Sequence, residues 1–177
     1  MPSTVPTTKV TNKARPGSDR ADPWPVALRL LTGRDYSLSE LRRKLLDKDF
    51  APTDVEEVLQ RCLEFGYLDD ARYALNRATS LMTQGRAVGP RILLDLRQRG
   101  ISEGVACQAL AKAREACDEN DLLTSILERR FPDFNYSSAP AKERRRVVHF
   151  LQRRGFSIGH IMDHLTRKGL ETHDEDR

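Results

Sequence analysis

The amino-acid sequence is poor in the residues and motifs from which most enzyme active sites are built. Aromatic residues make up only 6% of the 177 residues, which leaves few rings on which nucleic-acid bases could stack. No cysteine pair has zinc-site spacing, no glycine-rich phosphate loop is present, and no serine lies in a nucleophile elbow. These absences argue against an enzyme, and we expect neither a bound metal nor a cofactor.

Long apolar runs and abundant cysteines are missing as well. No stretch is apolar enough to span a membrane, and the N-terminus lacks the apolar core of a signal peptide. Cys62, Cys107 and Cys117 are odd in number and fall in helical apolar patterns, so we predict that they are reduced core thiols. We therefore expect a soluble protein of the cytoplasm.

A histidine pair and an acidic pair are the remaining candidates for metal or acid–base chemistry. His160 and His164 lie four residues apart on one predicted helix face, a spacing at which two imidazoles can bind one metal ion. Since no second ligand pair accompanies them, we favour a partly buried structural pair. Asp69 and Asp70 are better explained as a helix cap and a favourable first-turn charge.

What the sequence does contain is an internal repeat. The segment LRQRGIS at 96–102 is nearly copied as LQRRGFS at 151–157, and LLDKDFA at 45–51 is a diverged version. Recurrence at a period of roughly fifty residues is typical of helical repeat arrays. Such arrays usually work by presenting an extended surface to a partner, and not by enclosing a catalytic pocket.

The apolar positions of the three copies follow the same register. A shift of 51 residues and a further shift of 55 carry the set that begins at Leu41 onto apolar residues in both later copies. The first two members of each set are four residues apart, which places both side chains on one helix face. The sets are Leu41, Leu45, Phe50 and Leu59; Ile92, Leu96, Ile101 and Leu110; and Val147, Leu151, Phe156 and Leu165.

Helix ends are also marked in the sequence. Gly100 and Gly155 come directly after a predicted helix, where a residue in the left-handed conformation ends the helix and satisfies its last carbonyl groups. Asp49 takes this place in the first copy and is a poorer terminator. Other predicted boundaries are a capping box at Ser37 and Glu40, Pro52 in a first turn, caps at Asp69 and Ser157, and a helix end at Gly169.

These signals predict an all-α fold of three tandem three-helix repeats in an elongated, curved array. Units of about fifty residues bury a small fraction of their surface, so we expect the repeats to pack against one another. The predicted organisation is a disordered N-terminal tail at 1–22, repeats at 23–67, 68–117 and 118–169, and an acidic C-terminal tail at 170–177.

Positive charge is concentrated in the second and third repeats. The formal net charge is +3 over residues 69–117 and again over 118–169, but −1 over residues 25–68. Such a basic excess suits a polyanion or an acidic protein partner. A surface that is simply solvated is the alternative.

The best candidate contact surface is a basic stripe on the helix predicted between Lys142 and Arg154. Like charges three and four residues apart repel, whereas guanidinium groups bind phosphate or carboxylate in a forked geometry. Arginine is also a good helix former at exposed positions, so a purely structural role stays open. The stripe consists of Lys142, Arg146, His149 and Arg153, and the candidate contact set adds Arg154 together with Arg91, Arg97 and Arg99 of the second repeat.

A family resemblance enters with the phrase FGYLDDARYA at 65–74. Followed by GPRI at 89–92 and LRQRGI at 96–101, it resembles the RecX family of recombination regulators. The run FLQRRGF at 150–156 is similar to the third repeat of that family, and the resemblance covers about residues 24–168. Its motif residues in this chain are Gly66, Tyr67, Leu68, Asp69, Asp70 and Tyr73.

The resemblance implies a bacterial cytoplasmic protein that binds the filament of the RecA recombinase on single-stranded DNA and lies in the helical groove of that filament. Members of the family restrain RecA in recombination, DNA repair and the SOS response, and the family has no catalytic residues to carry over. We expect a monomer with weak direct DNA binding. Two alternatives stay open: a helical module that binds DNA directly, and a general helical scaffold for other proteins.

Overall fold

The described part of the chain is all-α. The computed structural model describes the backbone of residues 22–174 and the side chains of residues 22–167, so the predicted tail at 1–22 lies outside the described residues except for Asp22. Across 22–174 there are nine helices and no strand, and no helix there is long and apolar enough to cross a membrane. The helices are α1 (Trp24–Gly33), α2 (Leu38–Leu46), α3 (Pro52–Glu64), α4 (Asp70–Thr83), α5 (Pro90–Gln98), α6 (Glu103–Glu115), α7 (Glu119–Arg130), α8 (Ala141–Gln152) and α9 (Ile158–Asp174).

The repeat is visible in the packing. The second and third helices of each unit pack together, α2 with α3, α5 with α6 and α8 with α9. Of the twelve apolar positions in the predicted register, all are buried except Phe50, which is half-buried. Asp49, Gly100 and Gly155 have φ angles of 62°, 77° and 105°, so all three helix ends are left-handed. The all-α repeat fold is therefore confirmed.

Most predicted helix starts are also confirmed. The Ser37 side chain accepts a hydrogen bond from the Glu40 amide at 3.1 Å, and the Glu40 carboxylate accepts one from the Ser37 amide in return. Pro52 occupies the first turn of α3. The Asp69 carboxylate accepts hydrogen bonds from two amides of α4, both at 2.9 Å, and the Ser157 hydroxyl accepts one from the His160 amide of α9 at 3.2 Å.

Two local predictions are wrong. Helix α9 continues through Gly169 to Asp174, because a glycine inside a helix costs about 1 kcal/mol relative to alanine but does not by itself end the helix. Cys107 is exposed and is not a core thiol, since the buried face of α6 is formed by its neighbours Ala106, Ala109 and Leu110. Cys62 is buried as predicted.

The hydrophobic core is divided in a way that the sequence did not indicate. The first unit has a core of its own, built around Leu41, Val55 and Leu59. The second and third units share one continuous core, to which Met82 contributes from α4 and Leu151 from α8. We call the contact between the first and second units the first junction, and that between the second and third units the second junction. The two junctions therefore differ in chemistry.

Candidate partner-binding surface

The second junction joins the end of α8 to the start of α5. The Val88 amide donates a hydrogen bond of 2.8 Å to the Arg154 carbonyl oxygen, next to Gly155. A Cβ atom on residue 155 would overlap the Val88 carbonyl oxygen and crowd the Arg91 side chain. The glycine thus ends α8 and also allows the backbones of two units to approach closely, which anchors the helix that carries the basic stripe.

The first junction repeats this arrangement at the equivalent positions. Ser37 corresponds to Val88 and Arg99 to Arg154, and here the Ser37 hydroxyl donates a hydrogen bond of 2.6 Å to the Arg99 carbonyl oxygen. A Cβ atom on Gly100 would overlap the Ser39 side chain. The near-copied segments at 96–102 and 151–157 therefore have the same structural role, which is to hold one unit against the preceding one.

A hydrogen-bonded ionic network completes the first junction. The Arg99 guanidinium donates to the Glu40 carboxylate at 2.6 Å and to the Asp95 carboxylate at 2.9 Å. The Tyr73 hydroxyl donates to Glu40 at 3.0 Å, and Arg77 makes a forked pair with Asp95, both contacts at 3.0 Å. Glu40 belongs to the first unit and the other four residues to the second, so these polar contacts tie the two units together.

The charges of the network stabilise its carboxylates. Burial alone would raise the pKa of Glu40, but the Tyr73 hydrogen bond and the positive charges of Arg99 and Arg34 bring this pKa below its ordinary value. Burial opposes ionisation of Asp95 in the same way, and hydrogen bonds from Arg77 and Arg99 lower its pKa. Both carboxylates are therefore ionised at neutral pH.

The second junction has no such acidic partner. The residue equivalent to Glu40 is Arg91, and the Arg154 guanidinium donates instead to the Gly85 carbonyl oxygen at 2.8 Å and lies 3.6 Å from the centre of the Phe150 ring. Burial lowers the pKa of Arg154, and the neighbouring positive charges of Arg153, Arg130 and Arg129 lower it further. Positive charges therefore cluster around Arg154 at the second junction.

The structure places the four stripe residues, Lys142, Arg146, His149 and Arg153, on the exposed side of α8. Among the described residues, no acidic side chain lies within 4.0 Å of their side-chain nitrogens. The Arg146 guanidinium lies 5.9 Å from the centre of the Phe131 ring, which packs against the core. We call these four residues the α8 stripe.

Two further basic residues, outside the contact set predicted from the sequence, lie near this surface. Arg129 and Arg130 end α7, are exposed, and influence Arg154 electrostatically. Their position at a helix end was visible in the sequence, because basic side chains favour the last turn of a helix. Their electrostatic effect on Arg154 was not visible in the sequence, because it depends on how α7 packs.

The other candidate contact residues are placed differently. Arg91 is exposed beside Gly155, and Arg97 is exposed with the Glu103 carboxylate 3.8 Å away. Arg99 and Arg154 are instead engaged in the internal contacts of the two junctions, which leaves them less accessible to a partner. Their roles as partner contacts stay predictions, as do those of the α8 stripe.

The motif at 65–74 builds the connection between α3 and α4 and part of the first junction. The Asp70 carboxylate accepts a hydrogen bond of 2.8 Å from the Leu38 amide, a contact between units that the first-turn interpretation missed. The motif residues are placed as follows: Gly66 has a φ of 68°, Tyr67 is exposed, Leu68 is buried, Asp69 caps α4, Asp70 bonds α2, and Tyr73 bonds Glu40.

The histidine pair packs against α7. The His160 Nε2 atom lies 2.9 Å from the Asn120 side-chain oxygen, and Nε2 of the buried His164 lies 3.2 Å from the Thr124 hydroxyl. Within the part of the chain that is described, no group of three or more His, Cys, Asp or Glu side chains could hold a metal ion.

Comparisons with known proteins agree with this architecture. Residues 26–62 match the family model of the first three-helix domain of RecX, and residues 118–169 match that of the third. Regulatory protein RecX of Syntrophotalea carbinolica is 38% identical over 149 residues, which cover 84% of this chain and 97% of that protein. This chain belongs to the RecX family. The RecX of Trichlorobacter lovleyi is also 38% identical, over 136 residues that cover 77% of this chain and 88% of that protein.

Solved RecX structures share the fold. A crystal structure of RecX from Lactobacillus salivarius superposes with a TM-score of 0.62 at 21% identity, covering 81% of this chain and 94% of that one. A second crystal structure of regulatory protein RecX gives 0.63 at 24% identity, covering 77% of this chain and 66% of that one. RecX proteins are regulatory proteins, and this chain has the helical repeat fold of that family.

Proposed function

We propose that this RecX-family chain binds the RecA filament assembled on single-stranded DNA and restrains RecA activity in recombination, DNA repair and the SOS response. The observation that carries the proposal is the α8 stripe, an exposed row of cationic side chains without acidic partners among the described residues. Family membership supports a regulatory role, and the resemblance in the motif at 65–74 points to RecA as the partner. Such a partner would be met in the bacterial cytoplasm.

The basic stripe is suited to this task because of its chemistry. Arginine side chains recognise carboxylate or phosphate groups through two parallel hydrogen bonds, and a filament of protein on nucleic acid presents both kinds of group. Because the stripe is exposed, these contacts are expected to weaken as salt concentration rises. The anchored end of α8 keeps the stripe in a fixed relation to the second unit.

Regulation then follows from differential binding. RecA would hydrolyse the ATP, and this chain would act by binding one state of the filament better than another, since equal affinity for both states shifts no equilibrium. Three units in one chain can contact neighbouring filament subunits at the same time. Several modest contacts then give a high overall affinity.

Charge reversal on the α8 stripe tests this proposal. We expect R146E/R153E to need about tenfold more protein for half-inhibition of the single-stranded-DNA-dependent ATPase of RecA, because two cationic contacts become repulsive. Far-UV circular dichroism should show unchanged helicity. The matched control is R43E/K44E, which reverses two exposed charges on α2 of the first unit and should inhibit like the wild type.

The outcomes separate the proposal from its alternatives. Inhibition by R146E/R153E at wild-type strength would remove the α8 stripe from the contact surface, and no inhibition by the wild type at any ratio would contradict the proposal as a whole. Tight, sequence-dependent binding to DNA without RecA would favour a direct DNA-binding module. Weak binding with a steep salt dependence is the result that our proposal predicts.

A further inference from the structure

Three aromatic side chains lie together in the first unit. Phe65 and Tyr67 are exposed, whereas Trp24 is half-buried and packs against the core of that unit. The rings of Trp24, Phe65 and Tyr67 contact one another, with centroid distances of 5.9–6.3 Å. Phe65 is 60% exposed and Tyr67 49% exposed, and the Arg61 guanidinium lies 4.0 Å from the centre of the Trp24 ring. We call Trp24, Phe65 and Tyr67 the aromatic patch.

The helix connection does not require the exposed rings of Phe65 and Tyr67. The equivalent connection after α6 leads into α7 through Asp118, which caps α7 with hydrogen bonds to two amides just as Asp69 caps α4. The residue at the end of α6 that corresponds to Phe65 is Ala116. A capped helix start is therefore reached once through the longer connection at 65–69, with aromatic residues, and once through the shorter connection at 116–118, without them. Helix capping alone does not explain the rings of Phe65 and Tyr67.

Exposed aromatic groups of this kind are typical of protein interfaces. Contiguous apolar surface in water is unfavourable and mostly marks a contact site. Tyrosine, tryptophan and arginine are also the residues that contribute most to binding energy at protein–protein contacts. The aromatic patch with Arg61 contains one of each, together with Phe65.

The surrounding charge shows which kind of partner fits. Glu57 and Glu64 lie on the same face of α3 as Arg61, and all three are exposed. This face of α3 therefore exposes two carboxylates and one guanidinium group. A site for single-stranded nucleic acid combines aromatic rings with a positively charged groove, whereas this surface is acidic. Charge complementarity therefore points to a protein surface that carries an apolar area bordered by lysine or arginine.

We propose that the aromatic patch is a second contact with the filament protein, where it packs against an apolar surface bordered by basic side chains. This inference rests on the proposed function and adds a second contact surface, whose chemistry differs from that of the α8 stripe. The basic α8 stripe and the acidic, aromatic first unit stand at opposite ends of the repeat order. An array with two unlike ends binds a polar filament in one orientation only.

The experiment compares F65A/Y67A with the wild type in co-sedimentation with RecA filaments on single-stranded DNA, at low and at high salt. We expect about tenfold weaker binding or more, by a factor that changes little with salt, because the lost contact is apolar. L46A, which truncates a 39% exposed leucine of the same unit, should bind like the wild type. In the combined variant with R146E/R153E, the two losses in binding free energy should add, since the sites are separate.

A second variant tests the acidic border without altering the rings. E57K/E64K should weaken binding to the filament by repelling its basic side chains, and more strongly at low salt than at high salt. Far-UV circular dichroism and the urea midpoint show that each variant is folded.

Wild-type binding by both F65A/Y67A and E57K/E64K would overturn the inference and leave the proposed function standing. A parallel loss of binding to bare single-stranded DNA would overturn it in favour of a nucleic-acid site. Failure of the wild type itself to co-sediment would contradict the proposed function, and with it this inference.

Discussion

At the scale of single residues, Glu40 shows how a buried charge is tolerated. Its side chain is only 8% exposed, and a carboxylate without partners would be very unfavourable there. It accepts hydrogen bonds from Arg99, Tyr73 and Arg34, at 2.6, 3.0 and 3.4 Å. Removing its charge weakens these hydrogen bonds and replaces one acceptor oxygen by an NH2 donor, so this one residue is expected to affect the whole first junction.

We predict a pH-dependent loss of stability for E40Q. The folded-state pKa of Glu40 lies below its unfolded value, so its contribution is present above about pH 4.3 and is lost as the pH falls through the folded-state pKa. E40Q should lower the free energy of unfolding by about 3 kcal/mol at neutral pH, and the difference from the wild type should shrink in acid. Urea unfolding over a pH series measures this.

The control for this prediction is E56Q. Glu56 pairs with Arg42 on the surface and is 56% exposed, so E56Q should change stability by about 0.5 kcal/mol or less. A difference between E40Q and the wild type that stays constant from neutral pH to pH 3 would show that the charge of Glu40 is not what stabilises the junction.

Glycine 155 allows a second prediction at the residue scale. In G155A the new Cβ atom would overlap the Val88 carbonyl oxygen, and alanine is strained at a φ of 105°. We expect a destabilisation of about 3 kcal/mol, from steric overlap together with backbone strain. G159A is the matched control, because its Cβ atom would meet no atom within 4 Å beyond its own turn of helix, and it should be neutral or stabilising in thermal unfolding. Equal melting temperatures for the two variants would disprove the close approach of the units.

At the scale of elements, the caps of the second unit differ although both positions carry favourable cap residues. Asp69 accepts two amide hydrogen bonds at the start of α4, whereas the Ser102 side chain makes no cap hydrogen bond at the start of α6. We expect D69A to cost about 1 kcal/mol and S102A to change stability little. Chemical denaturation of both variants measures this, and an equal loss in the two would contradict the assigned cap geometry.

Much of this local structure could be predicted from the sequence, because caps and helix ends depend on neighbouring residues. The Ser37–Glu40 capping box and the left-handed helix ends at Gly100 and Gly155 are of this kind. The end of α9 could not be placed at Gly169, since a glycine ends a helix only when the following chain turns away. The Glu40–Arg99 pair spans 59 residues, and its formation depends on how two units pack, which no local pattern encodes.

The placement of the candidate contact residues could also be predicted only in part. Helical periodicity correctly placed the four residues of the α8 stripe on one exposed side of their helix. The same reasoning could not show that Arg99 and Arg154 make internal contacts, because their partners, Glu40 and the Gly85 carbonyl group, come from other units. Nor did it indicate the aromatic patch, in which Trp24 of α1 meets Phe65 and Tyr67 from the segment after α3.

At the scale of the whole molecule, the first unit is distinct from the second and third units, which are joined to each other. The first unit has a separate hydrophobic core and is joined to the second through an ionic network, whereas the second and third units share a core. A unit of this size buries too little surface to be very stable alone. Its stability therefore depends on the first junction, and so does the position of the aromatic patch relative to the α8 stripe.

The most direct test of this organisation is urea unfolding of E40Q, followed both by tryptophan fluorescence and by far-UV circular dichroism. Trp24 is the only tryptophan of the chain and belongs to the first unit, while circular dichroism reports all helices. With the network broken, we predict that the fluorescence transition occurs at a lower urea concentration than the main loss of helix. A single transition at the same midpoint for both probes would contradict the division of the molecule into a first unit and a joined second and third.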